Sequence, residues 1–355
     1  MNNTSKKIVL MTADLGPGGT ERVVSILANK FVENYSVDVC IICLVQGEVF
    51  YQINPKVKIL RPSFNYRNYP KFISYLITFF YVRKKLKLLK PTSILSFGGR
   101  YNSLCILASL GLTVKTYISE RSKPGISNGF FIDFLNMIFY PLADGLIVQT
   151  KQANDFFTKH LKIKRIKVIG NPVPDLYDPA IERRNVILNV GRFIQTKNQQ
   201  LLIDIFDEIN PVAWELWFVG QGPMLNFCKE KASNLLSGKR IVFLDKISNV
   251  KEIYNSAKVF AFTSTSEGFP NALAEAMSAG LACISFDCVA GPSELIEDEF
   301  NGFLVKNFDT IEFRNKLNIL IQSPLIRENF AKNAMATVKR YSENKIVDSF
   351  YKFIN

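Results

Sequence analysis

Ser266-Glu267-Gly268-Phe269-Pro270-Asn271-Ala272-Leu273-Ala274-Glu275-Ala276 is the segment on which the reading of this chain turns. Pro270 suits a helix N1 position, where its missing N–H costs nothing, and Gly280 suits the C′ position that closes the helix. Glu267 then stands in the loop just before the helix, and Glu275 lies inside it, eight positions on. A carboxylate ahead of a helix N-terminus can hold sugar hydroxyls while helix N–H groups face phosphate. A second carboxylate one or two turns in can take a ribose diol. The plainer alternative for Glu275 is an exposed helix glutamate, but Ala272, Ala274, Ala276 and Ala279 describe a helix made for close packing.

Outward from this segment, short Val/Ile-rich runs alternate with longer amphipathic ones. Strands are predicted over 7–11, 36–44, 93–96, 115–119 and 145–149, and a second series over 165–169, 185–190, 216–219, 241–244, 259–263 and 282–286. Helical patterns fall over 21–33, 199–209, 224–235, 250–256 and 270–279. Continuous apolar strands separated by helices imply an α/β protein with parallel sheets covered on both faces. The chain has 355 residues, above the ~250–300 at which one core stops growing, so two such sheets fit. The turn formers of Gly170-Asn171-Pro172-Val173-Pro174 mark a boundary. Domains are therefore expected over 1–170 and 171–335. A final helical stretch over 324–354 has no strand after it, and its last part, 336–355, is expected to pack back on the N-terminal domain.

Charge divides at the same place. Residues 1–170 carry 24 Lys and Arg against 9 Asp and Glu, a net +15; residues 171–355 carry 20 against 22, a net −2. The first half therefore faces something anionic, either a membrane surface or nucleic acid. The longest apolar stretches, around 72–82 and 130–142, fall short of the ~20 residues of a membrane span. Lys6-Lys7 lead into a run, Ile8–Met11, too short for a signal peptide. Six cysteines are too few for a disulfide scaffold. Cys40 and Cys43 form a C-x-x-C inside an apolar run, and with His160 the single histidine a Cys/His zinc site has almost no material. A reduced, cytoplasmic protein is expected.

Three further glycine-bearing junctions follow predicted strands. Gly16-Pro17-Gly18-Gly19-Thr20-Glu21 opens a helix but is neither G-x-G-x-x-G nor a P-loop; it reads as an anion-approach loop or simply a tight turn. Gly191-Arg192-Phe193-Ile194-Gln195-Thr196-Lys197-Asn198 places an Arg and a Lys at a strand's carboxyl end, where open sheets bind ligands. The pair suits a diphosphate, Arg as a planar fork and Lys as a point charge, although two solvated cations would read the same way. Gly220-Gln221-Gly222-Pro223 is a third junction at the same edge.

Taken together and in order, these motifs resemble retaining glycosyltransferase family 4, the GT-B enzymes in which two Rossmann-like domains face across a cleft. The E-x7-E pair of Glu267 and Glu275 carries most of the likeness. Gly191-Arg192…Lys197, Gly220-x-Gly222-Pro223 and Gly291-Pro292-Ser293-Glu294…Asn301-Gly302-Phe303 extend it, and Gly18-Gly19-Thr20-Glu21-Arg22 is similar to the N-terminal turn of bacterial polysaccharide and lipid-linked oligosaccharide transferases. The likeness runs from about residue 7 to about 345.

The resemblance implies a catalytic set of Arg192, Lys197 and Glu267. The two cations would bind and stabilise the departing diphosphate, and Glu267 would hold donor-sugar hydroxyls. Glu275 would take the ribose, and the run Gly268, Phe269, Pro270, Asn271 and Ala272 would turn backbone N–H groups to the donor, Pro270 shaping the run without an N–H of its own. Gly18, Gly19, Gly191, Gly220 and Gly222 would let backbone approach the donor. Asp245-Lys246-Ile247 stands where the family holds the base and lacks the usual glycine. The usual N-terminal-domain histidine is absent, and the corresponding loop carries Glu120 and Arg121, which with Arg100 are the expected acceptor residues. The implied reaction is retaining transfer from a nucleotide-sugar, UDP by family, to a lipid-linked sugar or oligosaccharide in surface polysaccharide biosynthesis. No cofactor or metal is expected, since Arg192 and Lys197 can take the metal's electrostatic role and no D-x-D pair is placed to hold one.

The basic segment from Tyr66-Arg67 through Phe72 to Lys90 then suits an interfacial element on anionic lipid, or an ordinary helix with a basic outer face. The expected location is cytoplasmic, on the inner face of the plasma membrane. The competing readings are a GT-B phosphorylase or synthase with a soluble acceptor, and an RNA-binding protein. The chain lacks RNP-like aromatics and a KH-like loop, so no nucleic-acid partner is expected.

Overall fold

The structure is a computed structural model that describes residues 6–65, 68–244 and 249–355. It forms two compact units, one running to Pro172 and taking in Glu343–Asn355, the other Val173–Ser342.

In the first unit the chain runs β1 (Lys7–Thr12), α1 (Gly19–Tyr35), β2 (Asp38–Cys43), β3 (Lys58–Leu60), α2 (Lys71–Leu89), β4 (Ser93–Phe97) and α3 (Gly99–Ser109). It continues through β5 (Lys115–Ser119), α4 (Phe130–Phe139), β6 (Gly145–Val148), α5 (Lys151–His160) and β7 (Ile166–Val168). The sheet order is β3-β2-β1-β4-β5-β6-β7, every pair parallel. Leu10 sits between Ile41 and Leu95 in register, and Ile8 through Met11 are fully buried because helices cover both faces.

The second unit runs β8 (Val186–Val190), α6 (Gln199–Ile209), β9 (Glu215–Val219), α7 (Leu225–Ser233), β10 (Ile241–Leu244), α8 (Val250–Ser256) and β11 (Val259–Phe262). Then come α9 (Asn271–Ser278), β12 (Ala282–Asp287), α10 (Pro292–Leu295), β13 (Phe303–Lys306), α11 (Thr310–Gln322) and α12 (Pro324–Val338). Its sheet, β10-β9-β8-β11-β12-β13, is again wholly parallel. Both sheets grow outward one way from their first strand and then the other. This creates topological switch points at β1/β4 and β8/β11, where such folds bind ligands outside the strand carboxyl ends.

Several sequence expectations shift. Residues 165–169, read with the second series of strands, supply β7, the edge of the first sheet, pairing Ile166 with Leu146. As an edge strand its Lys167 and Val168 are exposed, so it carries little of the apolar signature of a covered strand. The short strands β3 and β13 and the helix α3 were not anticipated. Pro270 is the residue before the first turn of α9 rather than its N1 residue, while Gly280 does sit past the C-cap with φ +75°. The final helical stretch breaks at the turn Lys339–Tyr341. Its first part, α12, packs on β12 and α9 in the second unit. The segment that returns to the first unit begins at Glu343, later than 336. This is α13 (Glu343–Ile354), which lays Tyr351 flat on Tyr35 at 3.7 Å and Phe353 against Tyr117 at 5.6 Å. A Cβ on Gly145 would stand 2.7 Å from the Phe353 ring, so β6 starts with the one residue that admits α13.

Candidate active site

Beside the β8/β11 switch point, the backbone loops that follow β8 and β9 are pressed together. The Gly191 N–H donates to the Val219 carbonyl at 2.9 Å and the Phe193 N–H to the Gln221 carbonyl at 2.9 Å. Gly220 (φ +142°) and Gly222 have no room for a side chain: a Cβ would lie 2.1 Å from the Gly191 oxygen and 2.4 Å from the Phe193 oxygen. Their glycine identity is therefore required by loop-on-loop packing, which fixes where residues 191–193 sit.

Lys197 ends a single 3-10 turn, Gln195–Lys197, followed by Asn198 in the left-handed region at φ +53°. The loop after β11 holds this turn in place. The Thr263 hydroxyl donates to the Lys197 carbonyl at 3.0 Å, and the Thr265 N–H donates to the Thr196 carbonyl at 2.8 Å. The ammonium lies over the Phe262 ring at 5.2 Å from its centroid and reaches the Glu267 carboxylate at 2.5 Å. Arg192, from the same loop, is exposed, and its backbone carbonyl accepts from the buried Gln199 amide at 3.0 Å.

Glu267 and α9 form the other wall. Gly291 (φ +153°) allows its loop to close on Pro270, whose Cδ would lie 2.6 Å from any Cβ there. Phe269 is buried edge-on against Tyr341 at 5.3 Å. The Asn271 N–H donates to the Phe269 carbonyl at 2.9 Å, and intrahelical bonding begins with Ala274 to Pro270. Gly268 and Ala272 are half-buried beside them. Glu275, half-buried on α9, accepts a 3.0 Å hydrogen bond from the hydroxyl of Tyr254, a fully buried residue of α8. In the downstream motif Asn301 is structural: its amide spans the Leu295 carbonyl and Thr337 at 3.0 Å each, and its oxygen accepts the Glu297 N–H at 2.9 Å.

The first unit brings its own set to the carboxyl edge of β1, β4 and β5. Gly18 precedes the first turn of α1 and Gly19 begins it; the Glu21 carboxylate folds back to within 2.0 Å of where a Gly18 Cβ would be. Arg100 is exposed in the first turn of α3. Glu120 follows β5 and accepts from the Tyr140 hydroxyl and, at 3.3 Å, from the Asn102 amide. Burial pushes its carboxyl up to about 7. Arg121 is turned into the unit, onto the Asn171 side chain and between the rings of Phe97 and Phe350 at 5.9 and 5.8 Å. Burial lowers its guanidinium to about 9. This geometry ties Arg121 to α13 packing rather than presenting it at a surface, which separates it from Arg100.

Asp245-Lys246-Ile247 lies outside the described residues, as do Tyr66 and Arg67. His160 is exposed at the end of α5, its Nδ1 2.7 Å from the Phe156 carbonyl. All six cysteines are free and buried. Among the described residues no three His, Cys, Asp or Glu side chains group as a metal site would need, and no helix is long and apolar enough to cross a membrane. Sequence reasoning missed Tyr254, Thr263, Thr265 and Tyr140. Each acts by touching a residue distant in the chain, and nothing local marks it.

Comparison with known proteins gives this geometry a class. Residues 178–337, within the second unit, match the family model described as glycosyl transferases group 1. The chain is 29% identical, over 98% of each sequence, to a Campylobacter jejuni GalNAc-alpha-(1->4)-GalNAc-alpha-(1->3)-diNAcBac-PP-undecaprenol alpha-1,4-N-acetyl-D-galactosaminyltransferase. It is 28% identical, over 99% of each, to the amylovoran biosynthesis glycosyltransferase AmsD of Erwinia amylovora. The fold matches Anabaena HepE, solved in complex with UDP, with a TM-score of 0.80 and 18% identity over 98% of both chains. Two Rossmann-type units with these neighbours define a GT-B fold. The chain is a glycosyltransferase, and its likeness to the group 1 model lies within the second unit.

Proposed function

We propose that this protein transfers a sugar from a UDP-sugar to a lipid-linked sugar or oligosaccharide, with retention of anomeric configuration and without a metal. The observation that carries the reading is the Lys197–Glu267 pair, fixed at the β8/β11 switch point beside the exposed Arg192 and the start of α9. Lys197 and Arg192 bind the diphosphate and stabilise its charge as the bond to the anomeric carbon breaks and UDP leaves with the electron pair. Glu267 holds donor-sugar hydroxyls, with Lys197 orienting it. Glu275, backed by Tyr254, takes the ribose diol, and the backbone of 268–272 borders sugar and phosphate. The acceptor oxygen attacks on the face the phosphate leaves, and its proton passes to a departing phosphate oxygen. Glu120 and Arg100 contact the acceptor.

The lipid-linked acceptor is supported by the relatives' named substrates, the UDP by the HepE complex, and the anionic membrane partner by the +15 of residues 1–170. The location that follows is the cytoplasmic face of the membrane, held peripherally. Thermal stabilisation by UDP with chelator present tests the donor site. At ~100 times Kd, UDP adds ~2.7 kcal/mol, and Glu275→Ala removes the gain. A requirement for added divalent cation, or a β-linked product from an α-UDP-sugar by NMR, overturns the mechanism. Transfer to water-soluble sugars only, without vesicle binding, overturns the acceptor.

A further inference from the structure

The first unit contains a cavity of about 710 Å³ between α2, α3 and α4, within the ~300–1,000 Å³ of small-molecule sites. Its walls are largely hydrocarbon: Phe72 and Tyr75 from α2, Leu104 from α3, Phe130 and Phe131 from α4. Tyr75 meets Phe131 edge-on at 6.0 Å, so α2 and α4 touch across it. The exposed cations Lys71 and Arg100 also line it.

The surroundings indicate what fills it. None of the residues of α4 is buried, although the helix is mostly aromatic and aliphatic; Phe130 is 89% exposed and Met137 57%. On α2, Phe72 and Phe80 are 63% and 64% exposed. An apolar surface of this kind marks an interaction site. The charge around it has one sign. From Glu48 to Glu120 the chain carries no acidic residue between them and 12 Lys or Arg. The complement is a hydrocarbon chain, which brings no polar group to be satisfied inside the cavity, joined to an anionic head.

We propose that this cavity holds the first part of the acceptor's lipid chain, with Lys71 and Arg100 facing its phosphate groups. The inference rests on the lipid-linked acceptor reading and adds the place where the lipid is gripped. It makes the chain a recognised part of the substrate, beyond its role as a tether to the membrane.

The test is calorimetric binding to the full chain without membranes, comparing farnesyl diphosphate with inorganic diphosphate. Farnesyl diphosphate should bind at least tenfold more tightly, equivalent to ~1.4 kcal/mol. Phe72→Ser and Phe131→Ser, both on the rim, should each weaken it several-fold while leaving the inorganic diphosphate value unchanged. UDP stabilisation of both variants verifies that they fold. Equal affinity for the two diphosphates, or wild-type affinity in both variants, overturns the proposal. So does displacement of farnesyl diphosphate by phosphatidylglycerol vesicles alone, which would make the occupant a bilayer lipid, or by a protein partner of α4. Loss of transfer to every lipid-linked sugar is a separate result that overturns the functional reading, because chain binding is measured without turnover.

Discussion

The Lys197 ammonium and the Glu267 carboxylate, 70 positions apart in the chain, meet at 2.5 Å at the carboxyl edge of the second sheet. Neither side chain is more than about a fifth exposed, at 22% and 10%. The loops after β8 and β11 bring them there because those strands are neighbours across the switch point. A pair this sheltered is costly to break from one side, since the remaining charge is left without its partner.

Lys197→Met should lower kcat/KM for sugar transfer by about 10²–10³, the range for loss of one preorganised donor to a developing anion. Glu267→Gln should cost a similar factor. The double variant should fall well short of the product of the two losses, because the residues act as a unit. Initial rates on the four proteins give the coupling directly, and full additivity would separate the two roles.

Tyr254→Phe removes one hydrogen bond to Glu275 while leaving the buried ring in place. A loss of ~1 kcal/mol, or about fivefold in UDP affinity, is expected, with kcat little changed. Titration calorimetry reads the affinity. A change in kcat without one in affinity would place Glu275 at the reaction instead of the ribose.

Gly222→Ala should destabilise the protein by at least ~2 kcal/mol, because its Cβ would fall 2.4 Å from backbone that cannot rotate aside. Urea unfolding measures this. Gly98 has φ +101° with open space around it, so Gly98→Ala should cost only the backbone strain, on the order of 1–3 kcal/mol.

Burial raises the Glu120 carboxyl to about 7 from its ordinary 4.5. The folded state therefore holds the proton more tightly than the unfolded one. The stability this supplies is complete below pH ~4.5 and is lost as pH rises through ~7. Glu120→Gln keeps an acceptor for Tyr140 and Asn102 and has no charge to bury. Relative to wild type it should gain stability above pH 7, on the order of 3 kcal/mol, and show no gain at pH 4 and below. Thermal melts across this range decide the sign.

Much of the second unit was legible in the sequence for a physical reason. Buried parallel strands must be continuously apolar, and the loops at their carboxyl ends must carry glycines, helix starts and charges, so strand, loop and motif are all local patterns. The edge strands β3 and β13 were not read, because a half-covered strand needs no continuous apolar run, whereas β7 was read as a strand but grouped with the second series. The first strand, read over 7–11 and running Lys7–Thr12, and the E-x7-E segment could be read directly.

Tertiary structure alone decided the partners. Gly220 and Gly222 read as places for a ligand to approach, but the space a side chain would need is filled by the carbonyls of Gly191 and Phe193. Arg121 read as an acceptor residue from its loop, and only the fold shows that α13 arrives from the far end of the chain and places Phe350 against it. Residues 130–142 read as an apolar stretch too short to span a membrane, and only the packed unit left α4 uncovered beside a cavity. The sequence by itself determined the two parallel sheets and the residues placed at their loops, because periodicity and spacing are properties of neighbours in the chain. Which loop lies against which, and which charge finds a partner, is set by the order of strands in the sheet and the path of the last helix, where residues up to hundreds of positions apart come into contact.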